Sequence, residues 1–305
     1  MKNYEIHNNK SRSFYTYLLV IITIFTLTTK SYAMKLEDDT YILAVGKKGA
    51  QRLDIQNAVL KEETENHLKA AGLSAGQIVW DIGCGNGVML PFLAKTVGER
   101  GHVYAMDISE EQLALAKLRI SSEGLKNVTL LHGDIGSEQN LPVGEADLVY
   151  MRLILMHVKD PDKVVAVVKT LLKEGGVVAS QESIMSTTQN FSNQLIFREY
   201  VETLMTLGQT KGVDYDIGSR LQLLYEQAGY GKTKVTFSQP KASLKQIKDI
   251  LILGAMEWKD KSIGAGIVSH EKVDGWIEAF NEWPEDEKTF SDFPTKQAYV
   301  LAWKS

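Results

Sequence analysis

From Gln77 onward the chain alternates short apolar runs with amphipathic helical stretches, and this alternation restricts its fold more than any other feature. The runs are QIVWDI (77–82), HVYAMD (102–107), VTLLHG (128–133), DLVYMR (147–152) and GVVASQE (176–182). Each is rich in β-branched residues and bounded by Gly, Asp or Pro, the pattern of a strand buried on both faces. Three helices are predicted between them. One covers 87–98. One covers 109–124, with Ser109 as cap, Glu110 and Glu111 in the first turn and Gly124 as the end. The third covers 160–176, with Pro161 opening it and Gly175-Gly176 stopping it. Strand–helix alternation of this kind specifies an open, doubly wound, mostly parallel α/β sheet.

The flanking segments add helices. Residues 36–72 read as two, over 49–61 and 62–71, ended by Gly72. A helix carrying Leu195, Ile196, Tyr200, Val201 and Leu204 is followed by a second after Ser219 and a strand within 231–240. Residues 243–290, with Trp258, Trp276 and Trp283, read as a mostly helical insertion before a closing strand, AYVLAW (298–303). The charge balance of 34 Lys+Arg against 38 Asp+Glu, net −4, disfavours a nucleic-acid surface. A single cysteine, Cys84, rules out an intrachain disulfide and a Cys-rich zinc centre, and no metal is expected.

The first 33 residues stand apart. Lys2, Lys10, Arg12 and Lys30 face one acid, Glu5, and FYTYLLVIITIFTL (14–27) is shorter than the roughly 20 residues of a spanning helix. With Ser31-Tyr32-Ala33 the pattern suits a cleaved secretory signal. A retained anchor through 14–29 and translation starting at Met34 fit as well. The expected organisation is therefore a signal-like segment (1–33), an N-terminal helical lid (34–74) and one α/β domain (75–305) carrying the insertion 243–290.

The most informative string is VWDIGCGNGVML (79–90). Its glycines suit backbone with positive φ, in a turn that a ligand touches through main chain. The spacing is GxGxG; the third glycine of a dinucleotide GxGxxG is replaced by Val88. Asp81, ahead of the turn, would repel phosphate and suits an ammonium-bearing ligand. The next strand ends in Asp107, placed to accept from a ribose diol, and the third in HGDIG, where Asp134 can accept from an adenine amine. Three successive strand-end acids fit a nucleoside with an amino-acid tail.

These motifs, VWDIGCGNG, VYAMDIS, LLHGDI and DLVYMRLILMHVKDP, resemble the class I S-adenosylmethionine-dependent methyltransferases. The likeness is greatest to the small-molecule group related to ubiquinone and menaquinone biosynthesis. It covers residues 75–185 and implies a seven-stranded, Rossmann-like sheet with an antiparallel last strand. It implies S-adenosyl-L-methionine as cofactor and methyl transfer to a small organic acceptor. Asp81, Gly83, Cys84, Gly85, Asn86 and Gly87 would surround the methionine portion and ribose. Asp107 would bind the ribose with Ile108 beside the adenine, and Asp134 and Ile135 would hold the adenine. Met151 and Arg152 would line the cleft just after the fourth strand. Tyr41, Arg52 and Gln56 would contribute from the lid. His157 and Glu182 are the candidates for a base. The cofactor is made in the cytosol, which favours a cytoplasmic catalytic domain.

Each residue also has a plainer role. The glycines could form an ordinary tight turn, Asp107 could precede a capped helix, Asp134 could start an Asx turn, and Cys84 reads as a small buried side chain. Arg152 and Glu182 could serve in ion pairs, and His157 in helix packing. Two other functions suit the same architecture: a nicotinamide-dependent oxidoreductase, and a nucleoside-binding module without turnover. The fourth strand ends in YMRL, not in the NPPY-like motif of amino-methylating enzymes.

Overall fold

The computed structural model describes residues 46–137, 141–190 and 195–305. The signal-like segment and Tyr41 lie outside them. The sheet has seven strands: β1 (Ile78–Ile82), β2 (His102–Asp107), β3 (Val128–His132), β4 (Ala146–Arg152), β5 (Leu172–Ile184), β6 (Lys232–Ser238) and β9 (Lys296–Trp303). Their spatial order is β3-β2-β1-β4-β5-β9-β6. β9 runs antiparallel between β5 and β6, whereas the pairings among β1 to β5 are parallel. A two-stranded ribbon, β7 (Lys241–Ser243) and β8 (Phe290–Asp292), closes the base of the insertion.

Alternation along the strands supplies two cores. In β1, Val79 faces one and Trp80 and Ile82 the other; in β4, Leu148 and Tyr150 oppose Val149 and Met151. The first face is covered by α1 (Gly46–Ala70), α2 (Leu90–Val97) and α3 (Glu110–Ser122), through Leu68, Leu93 and Ala116 among others. Opposite lie α4 (Pro161–Leu171), α5 (Leu195–Lys211) and α6 (Leu221–Gln227), with α7 (Leu244–Gly264) and α8 (His270–Asn281) of the insertion. Trp258 and Trp276 are buried against Tyr200 there, edge to face. Among the described residues no helix is long and apolar enough to cross a membrane.

Two expectations need correction. The N-terminal segment is one 25-residue helix, not two, because nothing between Lys61 and Glu62 breaks it; Gly72, at φ +83°, follows its end. Gly175-Gly176 does not stop a helix. α4 ends at Leu171 and β5 begins at once; the register against β4 slips between Ala146/Leu172 and Leu148/Val177. Gly175 takes φ +76°, and a Cβ on Gly176 would lie 2.9 Å from the Ala146 carbonyl oxygen, so the glycines form a bulge where two strands approach closely. Ser109 caps α3 as expected, accepting from the Gln112 N–H.

Candidate active site

Parallel pairing brings the carboxyl ends of β1, β2, β3 and β4 to one edge, and the glycine turn is bonded onto it. Gly83 and Cys84 donate their N–H groups to the Met106 carbonyl at 2.7 and 3.0 Å. Gly83, Gly85 and Gly87 have φ of +71°, +54° and +74°. A Cβ on Gly83 would collide with the Ile154 side chain, and one on Gly87 would lie 3.0 Å from the Ala116 Cβ. Glycine is thus required by backbone conformation and by packing.

Asp107 organises this turn. Its Oδ2 accepts from the Gly85 N–H at 2.8 Å and its Oδ1 from the Ser109 N–H at 2.9 Å. Burial raises its pKa, and these N–H groups oppose the rise. Asp81 is 3% exposed, and burial pushes its carboxyl up to about 7; Arg152 opposes this and Asp107 adds to it. Burial, followed by the fields of Asp81 and Asp107, raises the Cys84 thiol well above its ordinary pKa. The thiol therefore stays protonated, unsuited to nucleophilic attack. Asp81, Asp107, Arg152 and the turn form one electrostatic group.

Asp134 differs. Its carboxylate closes on its own turn, accepting from the Gly136 N–H and the Ser137 hydroxyl, each at 2.9 Å. Its strand end still adjoins that of Asp107, whose carbonyl accepts from the Gly133 N–H. Ile135 is buried, and the Ile108 carbonyl accepts from His132 Nε2. Met151 and Arg152 are the last residues of β4 rather than residues beyond it, and they point to opposite faces. Met151 is fully buried in the core, whereas Arg152 donates to Asn57 Oδ1 of α1 at 3.1 Å.

Helix α1 lies against this edge through polar contacts invisible in the sequence. Asp54 Oδ1 accepts from Asn86 Nδ2 and from Arg119 Nη2, each at 3.1 Å, and Arg119 Nε donates to the Asn86 carbonyl. Arg52 donates to Gln56 Oε1 and forms a 2.8 Å ion pair with Glu257 of α7, both side chains being buried. Helical spacing suggests the Arg52–Gln56 pair; no sequence signal points to Glu257, Asp54 or Arg119 as partners.

Beyond β4 the backbone turns sharply at Leu153, φ +57°, into a short 3-10 turn, Leu155–His157. Glu182, fully buried on β5, holds that turn: its Oε1 accepts from the Ile154 and Leu155 N–H groups at 2.9 and 2.7 Å. Burial pushes its pKa up to about 8 against these N–H bonds. His157 is buried, its Nδ1 hydrogen-bonded to the Tyr215 hydroxyl at 3.2 Å. Burial, reinforced by Arg52, pushes its pKa down to about 3, so the imidazole is neutral.

With this geometry in place, comparison with known proteins decides the family. A family profile described as "Methyltransferase domain" matches residues 73–226. The chain belongs to that methyltransferase family. It is 30% identical over 185 residues to demethylmenaquinone methyltransferase of Halalkalibacterium halodurans, covering 58% of this chain and 74% of that one. It is 30% identical over 141 residues to a ubiquinone biosynthesis O-methyltransferase of Acinetobacter baumannii, covering 46% and 57%. Among solved structures, phosphoethanolamine N-methyltransferase 2 of Haemonchus contortus, in complex with phosphomonomethylethanolamine and S-adenosylhomocysteine, superposes with a TM-score of 0.51. That match has 21% identity and covers 80% of this methyltransferase and 52% of the nematode chain, a likeness of fold. The seven-stranded, Rossmann-like sheet expected from the sequence is the one observed.

Proposed function

We propose that this methyltransferase binds S-adenosylmethionine across the carboxyl edge of β1, β2 and β3 and methylates a small organic acceptor. The observation that carries the reading is the coupling of Asp107 to the glycine turn. Its two oxygens already fix the Gly85 and Ser109 N–H groups and keep further lone pairs for a diol. The residues suit the cofactor. Asp107 would take the ribose hydroxyls and Asp81 the α-ammonium, with Arg152 opposite for the α-carboxylate. Gly83, Cys84, Gly85, Asn86 and Gly87 would line the tail and ribose. Ile108, Asp134 and Ile135 would meet the adenine; Asp134 would do so from a turn it already braces.

The bound cofactor supplies an activated methyl group. The chain's own work is to hold the acceptor in line with it and exclude water. Helix α1 is the closing segment, tied to the turn by Asp54 and to β4 by Asn57; Arg52 and Gln56 face the insertion. Glu182 is a positioning residue here, because its Oε1 holds the loop that carries Ile154 and His157. His157, a neutral and weakly basic imidazole, suits an acceptor whose own proton is already acidic. We place this chemistry in the cytoplasm, where the cofactor is made.

Calorimetric titration with S-adenosylhomocysteine tests the reading. Saturable binding that is lost with excess S-adenosylmethionine as competitor is expected. Absence of binding at millimolar ligand would refute it.

A further inference from the structure

A cavity of about 260 Å³ opens on the far flank of α1, against the edge strand β6. In strand order β6 lies four positions from β1, or about 19 Å at the usual spacing, so this groove is separate from the glycine turn. One wall is α1, where Glu63, His67 and Ala70 recur on one side of the helix over about 10 Å. The other is β6, where Lys234, Thr236 and Ser238 share a face over about 13 Å.

The two ends of the groove differ in charge. At one end Glu63 Oε2 accepts from the Tyr299 hydroxyl at 2.7 Å and from the Ser238 hydroxyl. Tyr299 is itself held by Gln181 Nε2 at 3.3 Å and by the edge of the His67 ring, 5.2 Å between centroids. Both hydroxyls act on Oε2, which orients the carboxylate; Oε1 accepts nothing from the described residues. At the other end lies Lys234, which forms no ion pair among the described residues and is register-paired with Leu301. Between them the lining exposes more carbon than polar atoms: Asn66, His67 and Thr236 line the middle, and Ala70 and Leu301 lie toward the Lys234 end. A fixed anion, a mostly carbon-lined middle and a cation at the far end match one chemical shape.

We propose that this groove binds a linear zwitterion of the ω-amino-acid type. Its ammonium meets Glu63 Oε1, its short aliphatic chain runs past Asn66 and Thr236 to Ala70 and Leu301, and its carboxylate meets Lys234. None of these residues is assigned to the methyl-transfer site, although α1 borders both.

The probe is 6-aminohexanoate, titrated into the full chain by ligand-observed magnetic resonance. Hexylamine and hexanoate serve as half-ligands. Glu63→Gln keeps an acceptor for Ser238 and Tyr299 while removing the charge; Lys234→Met removes the other pole. Each substitution should weaken binding about tenfold or more, as loss of one charge-assisted bond implies. Both half-ligands should bind more weakly than the zwitterion. Unchanged melting temperature and unchanged S-adenosylhomocysteine affinity in both variants would separate this site from the fold and from the methyl-transfer reading. No binding of the probe at tens of millimolar overturns the proposal. So does a half-ligand that binds as tightly, or binding that survives both substitutions.

Discussion

Asp107→Asn isolates the charge on which the proposed cofactor recognition rests. In the native structure both carboxylate oxygens are engaged by backbone N–H groups, those of Gly85 and Ser109. An amide offers one oxygen, so its NH2 must face one of these donors. One charge-assisted bond, about 1.5–3 kcal/mol, is lost inside the turn, and bonds to the ribose fall to neutral strength at about 1 kcal/mol each. Part of the first loss is relieved by relaxation of the turn. The expected net loss of cofactor affinity is about 2–3 kcal/mol, or about 30- to 150-fold. Calorimetry with S-adenosylhomocysteine measures it, with thermal melting alongside to show that the variant is folded. Asp134→Asn is the control. That carboxylate serves its own turn, to Gly136 and Ser137, so the loss should stay below about tenfold. A folded Asp107→Asn protein that binds within about threefold of wild type would refute the assignment, since that is less than one neutral hydrogen bond.

Other consequences are equally specific. Asp81, raised to about 7 from 3.8, keeps in the folded state a proton that the unfolded chain releases. Its contribution to stability therefore falls as pH rises between those values and is flat above them. Urea unfolding at several pH values should show wild type losing stability relative to Asp81→Asn across that window; parallel curves would contradict the shift. Glu182→Ala strands two buried N–H groups, Ile154 and Leu155, and should cost about 2–5 kcal/mol in urea unfolding. A loss under about 1 kcal/mol would mean that the turn finds other acceptors. Arg52→Met or Glu257→Met alone leaves a buried charge and should cost about 3–5 kcal/mol, whereas the double variant should be more stable than either single one. Additive losses would show that the pair is not coupled.

The strands, the glycine turn and the capped helix at Ser109 were legible because local chemistry specifies them: alternation of apolar residues, positive-φ positions and a side chain that satisfies a helix end. Asp81 and Asp107 were legible for the same reason, each ending an apolar run. The fate of the individual carboxylates was not. Asp107 and Asp134 look alike in sequence, yet one organises the glycine turn and the other braces its own. Glu182 and His157 read alike as possible bases. Only the packing of β5 against the loop after β4 makes Glu182 an acceptor for backbone N–H groups, and only burial beside Arg52 makes His157 a neutral imidazole.

By itself the sequence determined a doubly wound sheet with a glycine turn and acidic residues at the carboxyl ends of its first strands, because periodicity and glycine placement act over a few residues. Tertiary structure decided which polar groups meet. Arg52 finds Glu257 across 205 positions, and Glu63 finds Tyr299 across 236. Such pairings depend on where a helix crosses a sheet, which is set by burial of its apolar face, and burial carries no record in sequence of the polar partner it brings into reach.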